Sequence, residues 1–199
     1  MRKMTDCFGT TFLILSLVLS LSCTSLKKGA PGVMTQYGDP VQYGEFKHPG
    51  IDYALIPRTP IIAAVDGEVI VFAMGGKNAW EGGWWVRVLN EHFITFYSHL
   101  SEVYVSPFQQ LKRGDLIGLS GSSNAGAHHL HFGVLKIGGR APDYSDSYNP
   151  NKFWLGGHAQ CFDPNQDYSQ YSSKELTRPV ACREYKKILL QSLPEKEEE

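Results

Sequence analysis

The sequence predicts a mainly β fold, an antiparallel sheet or barrel-sandwich, with a disulfide-stapled C-terminal appendage. Three observations lead there. Twenty glycines and eleven prolines are set among short Val, Ile and aromatic runs, the spacing of brief strands joined by turns. Residues 84–89 (Trp-Trp-Val-Arg-Val-Leu) and 93–100 (Phe-Ile-Thr-Phe-Tyr-Ser-His-Leu) flank Asn90-Glu91-His92 as the two arms of a hairpin. Cys161 and Cys182 stand alone in the C-terminal quarter, spaced to close a loop. A chain of 199 residues with 42% hydrophobic and 20% charged residues can bury one sizeable core and still carry attachments. Its net charge of −1 lacks the basic excess of a nucleic-acid-binding surface, so no nucleic-acid partner is expected.

Taken in order, the first 22 residues read as an export signal. Arg2 and Lys3 precede the apolar run 11–19, which ends at Ser20-Leu21-Ser22-Cys23 and is too short to span a bilayer. Small residues at Ser20 and Ser22 suit ordinary signal cleavage. Ser22-Cys23 also resembles the lipobox of bacterial lipoproteins, whose cysteine is acylated and becomes the new first residue. A lipobox usually carries Leu three residues before the cysteine, and Leu19 and Leu21 flank that position. The lipoprotein reading is preferred: Cys23 lipidated, with the chain anchored to a membrane that faces the periplasm or the outside. In that oxidising compartment Cys161 and Cys182 are expected to pair, and closing their loop would add about 3 kcal/mol.

Residues 23–44 form the tether and lead-in, polar and turn-rich at Lys27-Lys28-Gly29-Ala30-Pro31-Gly32. Then comes His48-Pro49-Gly50-Ile51-Asp52. In an extended strand residues 48 and 52 are about 13 Å apart, too far to share an ion, and Pro49 and Gly50 oppose a helix. Pro-Gly suits the centre of a type II turn, which would fold His48 back onto Asp52 as a two-ligand clip.

Short strands follow at 61–65 and 68–73, then a Gly-rich loop at 74–83 containing Trp80, then the hairpin, in whose second arm Tyr97 and His99 share a face. Residues 111–118 turn into another strand. The small-residue loop 121–126 has neither a following helix nor a Lys-Ser/Thr pair, which excludes a phosphate-binding loop. It feeds His128-His129-Leu130-His131-Phe132, where strand alternation points His129 and His131 to one face and His128 to the other. Histidine is the commonest metal ligand and the usual acid–base residue at neutral pH, so this face is the candidate site.

Four motifs occur in one order: His48-x-x-x-Asp52, Tyr97-x-His99-Leu100, Gly118-x-Ser120-Gly121 and His129-Leu130-His131-Phe132. Thr59-Pro60-Ile61 and Arg113-Gly114-Asp115 add to them. Together they resemble the lysostaphin-type (LytM-type) zinc metalloendopeptidases, which cut peptide cross-links in bacterial peptidoglycan, and the match covers about residues 45–150. The resemblance implies a duplicated-hybrid-motif β fold. It also implies Zn2+ held by His48, Asp52 and His131, with His99 and His129 as catalytic residues. Strand geometry leaves open whether His129 also binds metal; the resemblance makes it free. Two His and one carboxylate leave a fourth position for water, and zinc lowers that water's pKa towards about 7, making it the nucleophile. His99 and His129 would share the base, oxyanion and acid roles, in an order the motifs do not fix.

His128 is assigned a structural role on alternation, and His92 and His158 are surface residues. Loops 74–83 and 136–148, with Trp80, Asp143, Tyr144 and Tyr148, would by the same resemblance wall a substrate groove. The organisation expected is therefore signal 1–22, tether and lead-in 23–44, metallopeptidase domain 45–150, and appendage with acidic tail 151–199, including a short helix near 185–190. The function expected is a monomeric, exported, membrane-anchored zinc endopeptidase acting on peptidoglycan stem or bridge peptides. The alternative is a non-catalytic wall-binding or hydrolase-activating factor on the same fold. Members serving that way lack ligands or catalytic histidines, and this chain keeps all five.

Overall fold

Alternating Val, Ile and aromatic residues, punctuated by Gly and Pro, fold into strands that pack one face inward. The computed structural model describes residues 32–41, 45–74, 83–122, 127–140 and 143–193. The expected export signal at 1–22, Cys23, most of the expected tether, Trp80 with its loop and the acidic end at 194–199 lie outside the described residues. Among the described residues the strands are β1 (Val33–Thr35), β2 (Pro40–Val41), β3 (Phe46–Lys47), β4 (Gly50–Ala54), β5 (Pro60–Ile62), β6 (Gly67–Met74), β7 (Trp84–Leu89) and β8 (Ile94–Val103). They continue with β9 (Gln110–Leu111), β10 (Leu116–Ser122), β11 (His128–Leu135) and β12 (Ser147–Tyr148), before helix α1 (Arg183–Gln191).

The main sheet is antiparallel, in the order β1-β4-β11-β10-β8-β7-β6-β9, with β12 added to β11 and β5 to β10; β2 and β3 form a separate ribbon. The mainly β, antiparallel expectation is met. So is the hairpin: β7 and β8 close on Leu89↔Ile94, and Asn90 Oδ1 accepts the His92 N–H across the turn. Strand β11 is the pivot, because β4 borders it over residues 129–133 while β8 borders it over 131–135. His131 therefore lies opposite Asp52 on one neighbour and opposite Ser98 on the other.

The core gathers Ile51, Tyr53, Val86, Val88, Tyr97, Leu100, Ile117, Leu130, Phe132 and Val134, all essentially without solvent exposure. Trp154, Leu176 and Val180 of the C-terminal segment belong to the same cluster, so that segment packs into the sheet's core. The Thr177 N–H donates to the Ala64 carbonyl (3.0 Å) and the Ile62 N–H to that of Pro179 (3.1 Å). Arg113 ties the two halves together, its guanidinium donating to the carbonyls of Ala64 and Glu175 and lying 5.2 Å from the Tyr168 ring. Gly114 has φ +92 and lies under Phe162, leaving no room for a side chain. The expected Cys161–Cys182 disulfide is present, and the expected short helix is α1, with Leu189 buried against Ile62 and Phe162.

Candidate metal centre

The ligand atoms of His48, Asp52 and His131 converge. His48 Nε2 is 3.1 Å from Asp52 Oδ1 and 3.0 Å from His131 Nδ1, and His131 Nδ1 is 2.9 Å from Asp52 Oδ1. Among the described residues this is the one group of three or more His, Cys, Asp or Glu arranged to hold a metal. An ion bound tetrahedrally at about 2.0–2.1 Å would separate its ligand atoms by roughly 3.3 Å, so the three donors are spaced for one zinc and leave a fourth direction open. The donor set of two imidazole nitrogens and a carboxylate is a zinc set.

The route to this geometry differs from the turn expected at Pro49-Gly50. Residues 48 and 49 lead straight into β4, and Gly50 has no positive φ, which a type II turn requires at that position. His48, Gly50 and Asp52 instead share one face of an extended run. Gly50 has no side chain, and the His131 imidazole fills that gap: a Cβ at position 50 would stand 2.8 Å from its Cε1 and 2.9 Å from its Nε2. Side chains leaning across an empty position bridge a backbone spacing that is too long for backbone alone.

Burial pushes the Asp52 carboxyl up, but its hydrogen bonds to His131 and His48 and their charges outweigh that and hold it well below the usual carboxylate range. His131 is pushed down by burial, against the opposing pull of Asp52, which favours the neutral imidazole that metal binding needs. The second nitrogen of His48 is also occupied, its Nδ1–H donating to the Gln36 carbonyl at 3.2 Å.

His99 and His129 stand beside this group, their ring centroids 4.4 Å apart, and His99 is 6.4 Å from His131. His129 Nδ1–H donates to the Ala127 carbonyl at 2.9 Å, which leaves Nε2 as the acceptor nitrogen of the neutral ring. His99 has φ +64, uncommon for a residue with a side chain. The cause is a bulge: Trp84 pairs with Leu100 but Val86 with Tyr97, so β8 spends one extra residue there. Tyr97 and His99 therefore do not share a face. Tyr97 and Leu100 both lie in the core, where the Tyr97 hydroxyl accepts the Ala64 N–H (2.9 Å), while His99 is turned to the site.

His128 opens β11 and is exposed, not packed with Leu130 and Phe132 as a structural role on their face would require, and borders a cleft with Arg58, Ser101 and Ser122. The loop aromatics pack locally: Tyr144 stacks on Tyr37 (4.7 Å) and Tyr148 lies 5.9 Å from Phe153. Asp143 caps the short helical turn 144–146 by accepting the Ser145 N–H. The five histidine and aspartate residues singled out from the sequence thus come together. The empty position at Gly50 and the carbonyls of Gln36 and Ala127 were missed, for backbone acceptors leave no mark in residue type.

Residues 46–144 match the family model described as Peptidase family M23. A Haemophilus influenzae protein described as an uncharacterised metalloprotease is 35% identical over 97 residues, covering 47% of this chain and 19% of that protein. The peptidoglycan DD-endopeptidase ShyA of Vibrio cholerae is 33% identical over 92 residues, covering 46% of this chain and 21% of its own length. This chain thus aligns with about a fifth of the length of these relatives. The catalytic domain of the antimicrobial peptidase lysostaphin from Staphylococcus simulans superposes with a TM-score of 0.52 at 25% identity, covering 61% of this chain and 90% of that one.

Proposed function

We propose, from the premise that residues 46–144 are a Peptidase family M23 domain, that the chain is a zinc-dependent endopeptidase hydrolysing peptide cross-links of bacterial peptidoglycan. The observation that carries this reading is the mutual 2.9–3.1 Å approach of His48 Nε2, Asp52 Oδ1 and His131 Nδ1 beside a second pair of histidines. Likeness to ShyA and to the lysostaphin catalytic domain supports the substrate class.

His48, Asp52 and His131 are the zinc ligands in this reading. When bound, zinc supplies a Lewis acid for the scissile carbonyl and lowers the pKa of a coordinated water. His129, its Nδ1–H committed to the Ala127 carbonyl, presents Nε2 as the base that takes the attacking water's proton. His99, held on the bulge with its ring centroid 4.4 Å from that of His129, would donate an N–H to the oxyanion and give up a proton to the leaving amine. The proton taken up by His129 would then replace the one that His99 gives up. Both residues are buried, which keeps bulk water from competing for those protons.

The same reading takes residues 1–22 as an export signal, Cys23 as the lipid attachment point, and the mature chain as a monomer at the cell envelope. The basic start, the short apolar run and Ser22-Cys23 support it. It divides the chain into lead-in, metallopeptidase domain 45–150 and C-terminal appendage.

The test is to incubate the purified mature chain with isolated sacculi, with and without a chelator. New muropeptides that disappear with chelator or with His131→Ala are expected. Unchanged muropeptides from zinc-loaded chain that still binds sacculi would overturn the enzyme and favour wall binding. A fatty-acylated peptide beginning at Cys23 in membrane extracts is expected, and an unmodified Cys23 would overturn the anchor.

A further inference from the structure

We propose that the lead-in turn at residues 36–39 is a working part of the metal centre: the Gln36 carbonyl is the positioning group that turns His48 Nε2 inward. This rests on the metal reading of the site given above. An imidazole rotated by half a turn exchanges its two nitrogens, and what the outer nitrogen bonds decides which one faces the metal. His48 is 4% exposed, and its Nδ1–H has the Gln36 carbonyl oxygen at 3.2 Å while Nε2 faces Asp52 and His131. Metal-binding histidines whose outer N–H is held in this way keep both ring orientation and ligand basicity.

The carbonyl is itself held from two sides. Towards the centre, the Gly38 N–H donates to the His48 carbonyl (2.8 Å) and the His48 N–H to that of Asp39 (2.9 Å), so the turn pairs directly with the ligand's backbone. Within the turn, Asp39 Oδ2 accepts the Gln36 N–H at 2.8 Å. Gly38 takes φ +87, which lets the chain reverse there. On the outer side, the Tyr37 ring stacks on Tyr144, its hydroxyl donates to the Ser147 carbonyl (3.2 Å), and Gln36 Oε1 accepts from Asn151 (3.2 Å). Gln36 lies ten residues before the matched family region, and Ser147 and Asn151 lie after it. Apart from Tyr144, the last residue matched, the strut is therefore built from segments outside that region. Without it the His48 Nδ1–H would meet water, which accepts equally well from many directions and fixes no orientation.

The test is a Co2+ titration of the full mature chain, read by the visible spectrum of the bound ion and by competition with a chromophoric chelator. Tyr37→Ala and Asp39→Ala should weaken Co2+ binding about 10- to 100-fold and alter the band shape, at unchanged melting of the metal-free chain. Met34→Ala, on an exposed position of the same lead-in, should bind as the parent does. Parent-like affinity and spectrum in both turn variants would overturn the proposal, as would an equal loss in Met34→Ala. Should the turn variants fail to fold, the unaltered zinc-loaded chain decides: a slowly exchanging His48 Nδ1–H in its imidazole spectrum is expected, and rapid exchange with water overturns the strut. If the parent chain binds no Co2+ at all, the metal reading itself falls, an outcome distinct from any loss confined to the turn variants.

Discussion

The His131 imidazole occupies the volume that a side chain on Gly50 would fill: a Cβ there would meet His131 Nε2 at 2.9 Å and the Phe132 carbonyl oxygen at 2.4 Å. One of those neighbours is a proposed metal ligand and the other is β-sheet backbone, so a side chain at position 50 would have to displace one of them. Gly50→Ala is therefore expected to destabilise the chain by about 1–3 kcal/mol as an overpacked site. It should also weaken metal binding at least tenfold by displacing His131. Thermal melting and a metal titration check this; an alanine variant that melts and binds like the parent contradicts the packing argument.

The two histidine pairs should separate in their effects. His131→Ala is expected to abolish metal binding and hydrolysis together, because it removes one of the three proposed ligands. His129→Ala is expected to keep the metal and lose about 10²- to 10⁴-fold in turnover. His99→Asn tests the bulge: asparagine tolerates the left-handed backbone at φ +64, so the fold and metal are retained while turnover falls by a similar factor. Metal content by mass spectrometry, measured alongside muropeptide release, distinguishes these cases.

The Cys161–Cys182 bridge spans 21 residues of chain. Replacing both cysteines with serine should cost about 3 kcal/mol. In a chain of this size that lowers the melting temperature by about 6–12 °C. Calorimetry of the double variant, and of the parent with reductant, should agree; a parent unaffected by complete reduction would show that the packing of Phe162 and Leu189 suffices alone.

A pH effect is expected away from the metal. Burial pushes the Asp66 carboxyl up, but the Lys112 ammonium and the Arg113 N–H overcome it and hold the group below its ordinary 3.8. A depressed carboxylate stabilises the fold above that ordinary value, and the contribution is lost as pH falls through and below it. The group is half exposed, so Asp66→Asn should cost no more than about 1 kcal/mol at pH 7. The difference from the parent should shrink as pH drops below 4. Denaturant titrations at pH 7 and pH 3 test this, and a gap that widens on acidification would reverse the sign.

Much of the site was legible because its residue types are rare and strand periodicity is simple. His129 and His131 at i and i+2 had to share a face of any strand, and β11 places them so. The clip at 48–52 was legible as a ligand pair but not in its path. The sequence suggested a turn, whereas the structure keeps the run extended and uses the missing side chain of Gly50. The shared face proposed for Tyr97 and His99 failed for a similar reason. Alternation holds only in a regular strand, and the bulge before Leu100 depends on β8 pairing with two neighbours at different registers.

The amino-acid sequence by itself determined which residues could do the chemistry, because donor atoms belong to side chains and side chains are read directly. It also determined the β class and the cysteine pair, since turn formers and apolar alternation act locally. Only the tertiary structure decided that residues 48–52 on β4 lie against residue 131 on β11, that His99 turns out of the core, and that Gln36 reaches His48. Those facts depend on strand register and backbone carbonyls, which every residue carries alike and which only a folded sheet brings within hydrogen-bond distance.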